Sequence, residues 1–113
     1  MLHLAVLFLA AGLAWGAHGI ARLEQAAAYA REGKYDEALA EYEAILRTAG
    51  ESAEVRHNRS LIFLLKGEPA KSREEAQRAV KLSPREGRYL VTLALTYMEE
   101  GKPDLKQAAG ILK

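Results

Sequence analysis

The chain contains no cysteine. Disulfides, thiolate metal sites and thiol nucleophiles are therefore excluded. Nor is either charge in excess: 16 Lys and Arg against 15 Asp and Glu leave a formal +1. A nucleic-acid surface rests on a basic excess, so none is expected here. Strand signals are absent too. Alternating β-branched runs do not occur, and alanine, leucine and glutamate dominate, a composition that favours helix. One further absence is local. From Met1 to Ala21 there is no Asp, Glu, Lys or Arg.

That uncharged stretch is a different kind of sequence. Leu4 to Ala14 is a compact apolar run, and Ala17-His18-Gly19 places small residues where a signal peptidase inspects the chain. The pattern predicts a secretory signal peptide over residues 1–19 with cleavage before Ile20. No Lys or Arg precedes the apolar run, so an uncleaved anchor stays open: Leu2 to Ala21 gives about 20 uncharged residues, roughly the length that spans hydrocarbon. A third reading is an apolar helix packed on the rest of the chain. Arg22, Arg31 and Lys34 come after the segment and would hold the remainder of an anchored protein in the cytoplasm. The expected location is exported, whether periplasmic or membrane-anchored, and cytoplasmic if the segment is not a signal.

Beyond it the sequence repeats. Gly33, Gly67 and Gly101 are spaced evenly (67 − 33 = 34, 101 − 67 = 34). Four residues before each stand Tyr29, Phe63 and Tyr97; seven before stand Ala26, Ser60 and Ala94. Three columns agreeing at one offset mark a repeated structural unit stacked on copies of itself. In a helical hairpin the small residue admits a close helix approach, the aromatic fills the gap between units, and the glycine takes the positive φ of a helix C-terminus. The pattern predicts helices over about 20–32, 35–48, 53–66, 69–83 and 86–100, with a last one starting at Pro103. Ser52 is a suitable N-cap, Pro69 fits a first turn, and Ser83-Pro84 ends the fourth helix.

The pattern resembles the tetratricopeptide repeat, a helix–turn–helix unit of about 34 residues. Tyr35, Ala38 and Tyr42 match the family in the first unit, and Pro69, Ala79 and Pro84 in the second. Ile45 and Gly50 depart from it, Ser72 and Ala76 are smaller substitutes, and the third unit keeps Pro103 but has Lys106 and Gly110 where alanine and an aromatic belong. The resemblance implies an all-α, right-handed superhelical stack of about three units (20–52, 53–86 and 87–113) and a function in binding other proteins. The strict spacing and balanced charge argue against the neighbouring RNA-reading helical repeat.

Catalytic signals are weak, and no enzyme, cofactor or metal is expected. His57 has no second histidine at ligand spacing. Glu74-Glu75 and Glu99-Glu100 are adjacent, so on a helix they diverge and read as solvated surface. Gly67 to Ser72 ends like a phosphate loop but lacks the glycine before lysine and the preceding strand. Asn58-Arg59-Ser60 fits a glycosylation sequon, yet falls inside a helix.

The remaining candidate site is the concave surface that the resemblance assigns to the first helix of each unit. Its expected lining is Leu23, Ala27 and Ala30; then His57, Leu61 and Leu64, with Leu65 at the edge; then Arg88, Val91, Leu95 and Met98. The leucines could instead be core shared between neighbouring helices; Leu61, Leu64 and Leu65 cannot all face one way, so part of that cluster is expected to be core. Family members that clamp a carboxylate tail need Lys, Asn, Asn, Lys and Arg along these helices. Leu23, Ala27 and Thr92 replace three of them, leaving only Asn58 and Arg88 compatible. An apolar groove suits a partner's amphipathic helix or apolar extended segment. The alternative is a self-associating structural subunit, a homodimer joined through Gly110-Ile111-Leu112-Lys113, where no polar capping helix covers the last repeat.

Overall fold

The computed structural model describes residues 20–99 and 103–113. Segment 1–19 and Gly101 lie outside the described residues. All regular structure within them is helical: α1 over residues 20–31, α2 Tyr35–Ala49, α3 Ala53–Leu65, α4 Pro69–Leu82, α5 Gly87–Met98 and α6 Leu105–Ile111. The repeat is visible in the element starts: α2 and α4 begin one period apart (69 − 35 = 34), as do α3 and α5 (87 − 53 = 34). Two compact units divide the chain, one ending at Ala49 and one spanning Gly50–Lys113.

Within the first unit the described residues form α1 and α2, joined by the turn at Gly33. Ala26 and Ala38 are fully buried, and Tyr42, Ala44 and Ile45 are buried further along α2. Gly33 has φ +76. Its amide donates to the Ala30 carbonyl at 3.1 Å, and the Lys34 amide donates to the Tyr29 carbonyl at 2.8 Å. This paired return of amides onto the last turn closes the helix and satisfies carbonyls that would otherwise lack partners.

The second unit repeats that closure one period on. Gly67 has φ +75, its amide donates to Leu64 O at 3.0 Å, and the Glu68 amide donates to Phe63 O at 2.9 Å. Ser52 caps α3 by accepting from the Val55 amide, and Pro69 occupies the first turn of α4, where its missing N–H costs nothing. α3 and α4 run antiparallel, their closest approach marked by Ser60 and Ser72, both fully buried. The Ser60 hydroxyl donates to the Ser72 carbonyl at 2.9 Å and the Ser72 hydroxyl to the Ser60 carbonyl at 2.7 Å. Small side chains permit the approach, and the reciprocal bonds satisfy both hydroxyls inside it. Early α4 then meets late α5: the Arg73 guanidinium lies 3.7 Å from the Tyr97 ring centre and donates to Thr96 O at 3.1 Å. That is a cation–π stack combined with a hydrogen bond.

Three expectations need correction. The sixth helix starts at Leu105 rather than Pro103, because Asp104 caps it by accepting from the Gln107 amide at 3.0 Å. Glu75 is not solvated surface. It is buried, with Arg56 at 3.1 Å, Arg59 at 3.5 Å and Arg78 at 3.7 Å. Lastly, none of Leu61, Leu64 and Leu65 is fully buried; Val55, Ile62 and Phe63 fill the core side of α3 instead. Val55 and Ile62 are two turns apart and share a face, which turns the leucines away from it.

Candidate functional site

α3 and α5 each pack antiparallel against α4 and so run parallel to one another, with His57 at one of the contacts between them. Its ring is buried. Nε2 lies 2.8 Å from the Thr92 hydroxyl, and the imidazole sits 4.7 Å from the Tyr89 ring at a 40° tilt. Thr92 and His57 are one period plus one residue apart (92 − 57 = 35), the offset that brings equivalent helices of successive repeats together. Burial holds the imidazole pKa below its ordinary value, with the Arg88 charge acting in the same direction; Glu54 and Glu86 oppose them. His57 is thus a packing residue between the helices, not the open groove residue expected from its repeat position.

From this contact the exposed face can be followed turn by turn. One turn beyond His57 comes Leu61, and one more gives Leu65; on α5, Val91, Leu95 and Met98 follow at helical spacing. All five remain exposed, with Leu61 at 37% and Leu95 at 43%. The opposite sides of the same helices are packed, so apolar surface is left facing solvent along two neighbouring parallel rows. Such a patch marks an interaction site more often than scattered leucines do. Covering one Leu or Met fully is worth about 1.5–3 kcal/mol. These side chains therefore hold most of the energy the face can offer.

The end nearer the helix N-termini is polar. Arg88 is exposed, but its Nε lies 3.3 Å from Glu86 Oε1. Asn58 is half-buried within α3, and Thr92 is buried, its hydroxyl directed at the Arg88 carbonyl at 3.0 Å. Among the expected lining residues of the second unit, Leu61, Arg88, Val91 and Leu95 are exposed on α3 and α5, whereas His57 is buried between these helices. Leu23 and Ala27 belong to the first unit, where Leu23 is exposed and Ala27 and Ala30 are half-buried.

Spacing within a single helix does not single out Glu75 and its arginines. Arg56 and Arg59 lie one turn apart on α3, while Glu75 and Arg78 lie one turn apart on α4. Arg56 also binds Glu51, which holds that carboxyl below the usual range and the guanidinium firmly charged. The cluster fastens α3 to α4 on the side away from the exposed leucines.

No protein-family model and no curated protein matches the chain. Among solved structures it is similar to the second tetratricopeptide-repeat domain of Spaghetti (RPAP3), bound to the HSP90 peptide SRMEEVD. The TM-score is 0.72 at 19% identity, over 83% of this chain and 88% of that one. The fold is therefore that of helical tetratricopeptide repeats, reached by a sequence far from that domain's.

Proposed function

We propose that this chain is a non-enzymatic protein-interaction module that holds an apolar segment of a partner protein, helical or extended, along the α3–α5 face. The observation that carries this reading is the pair of exposed apolar rows, Leu61 and Leu65 beside Val91, Leu95 and Met98, on helices otherwise packed. Peptide binding by the similar Spaghetti domain supports it. The acidic peptide bound there is a poor match for the α3–α5 face, because its rows are apolar and Thr92 stands where the family's carboxylate clamp needs a cationic side chain. A photoreactive amino acid at Leu95, compared with one at the exposed Gln77 on α4, tests the site in the native host. Crosslinks to a discrete partner from position 95 and none from 77 are expected. Crosslinks from 77 alone would remove the groove from consideration.

A second reading is favoured by Leu105 and Leu112, which are 61% and 57% exposed at the chain's last helix: a homodimer joined there. Solution mass separates the two, since the groove reading expects a monomer. We further propose that residues 1–19 direct export to the envelope. Among the described residues no helix is long and apolar enough to cross a membrane.

A further inference from the structure

We propose that His57 makes the α3–α5 groove acid-sensitive: the neutral imidazole pins the two helices at one spacing, and its protonation lets them part. In the starting state the ring is neutral. When the Thr92 hydroxyl donates to the Arg88 carbonyl at 3.0 Å, its oxygen accepts from His57 Nε2–H at 2.8 Å. In that tautomer the ring carries its proton on Nε2, and acid adds the second to Nδ1. The titratable and charged groups facing the ring are Arg88 and Tyr89 of α5, Glu86 just before α5, and Glu54 of α3. Burial opposes the new charge most, Arg88 next, while the two glutamates favour it. An imidazolium buried against a phenol ring with a guanidinium close by is the costly state.

The sign follows from linkage. Packing depresses the imidazole pKa, so its stabilising contribution is complete above the ordinary value near 6.5. It is lost as pH falls through that value towards the lower one of the packed state, because the parted state takes up the proton first. Each unit between the two values raises the opening equilibrium by about tenfold. The effect reaches the groove directly. Leu61 lies one turn from His57 and Leu95 about one turn from Thr92, so this contact sets the distance between the two apolar rows. That the distance matters to a bound segment rests on the interaction reading above.

The test uses the whole chain without any partner. The His57 ring is titrated by NMR, and amide exchange in α3 and α5 is measured at about pH 7.5 and about pH 5.5, corrected for intrinsic rates. The ring is expected to titrate below its ordinary value, and α5 amides to lose protection on acidification. In His57→Gln, whose amide can still donate to Thr92 but does not titrate, that pH-dependent loss is expected to disappear. A ring that titrates at or above the ordinary value, or an equal loss in His57→Gln, would overturn the proposal. If His57→Gln does not fold, the ring titration and wild-type exchange decide alone. Failure here leaves the groove reading intact, and failure of the crosslinking experiment leaves the pin intact.

Discussion

Glu75→Ala removes the carboxylate that Arg56, Arg59 and Arg78 share. The Arg56 and Arg59 side chains are only 12% and 14% exposed, so the substitution removes a carboxylate from beside guanidinium groups that have little access to water. Breaking a buried ion pair from one side typically costs about 3–5 kcal/mol. Two features set the expectation at the lower end. Arg56 keeps its bond to Glu51, and Arg78 is 55% exposed and screened by solvent. A loss of about 3 kcal/mol lowers the melting temperature by about 12–24 °C, taking roughly 4–8 °C per kcal/mol for a domain of this size. The internal control is next door. Glu74 is exposed, and Glu74→Ala should stay within about 0.5 kcal/mol of the parent. Thermal and urea unfolding followed by far-UV circular dichroism would compare the two. Coincident curves for Glu75→Ala and Glu74→Ala would refute the buried cluster and return both glutamates to solvated surface.

Other expectations are independent of that cluster. Gly67→Val should cost about 1–3 kcal/mol purely through backbone strain, because φ is +75 and a Cβ there would meet nothing within 4 Å. Gly87→Ala, at a helical position with equally open surroundings, should be neutral or stabilising by up to about 1 kcal/mol; unfolding curves that rank the pair the other way would show that Gly67 does not close α3. The peptide SRMEEVD should show no saturable binding by calorimetry, and tight binding would restore a carboxylate clamp. Mass spectrometry of the protein from its native host should find an N-terminus near Ile20, whereas an intact Met1 on a soluble cytoplasmic species would defeat export.

Much of the fold was legible in the sequence because the repeat writes it several times. Gly33 and Gly67 share a column, a positive φ and a hydrogen-bonded closure, so one motif located two helix ends. Ser52 and Pro69 marked their helix starts for local reasons that need no tertiary context. Local signals also explain the misses. Asp104 outcompeted Pro103 as a start signal because a side-chain cap depends on where the chain turns, and the weak third repeat gave no guide to that. Glu75 sits in a strongly polar helix, where single-helix spacing cannot reveal that arginines of α3 stand opposite. His57 was expected in the open groove, but its burial depends on Thr92 and Tyr89, which reach it only once α5 packs beside α3. The exposed leucines were recognised as a group, whereas Ile62 and Phe63, which take the core positions between them, were needed to tell which way each one faced.

The central claim, that the α3–α5 face binds through apolar contact, is tested most directly by the affinity of the crosslinked partner segment for two variants. Leu95→Asp is expected to weaken binding by at least about 30-fold, equivalent to roughly 2 kcal/mol for a central contact. Its helicity should be retained, because Leu95 is already 43% exposed. Arg88→Ala is expected to bind within a few-fold of the parent. Binding that survives Leu95→Asp and collapses in Arg88→Ala would contradict the account.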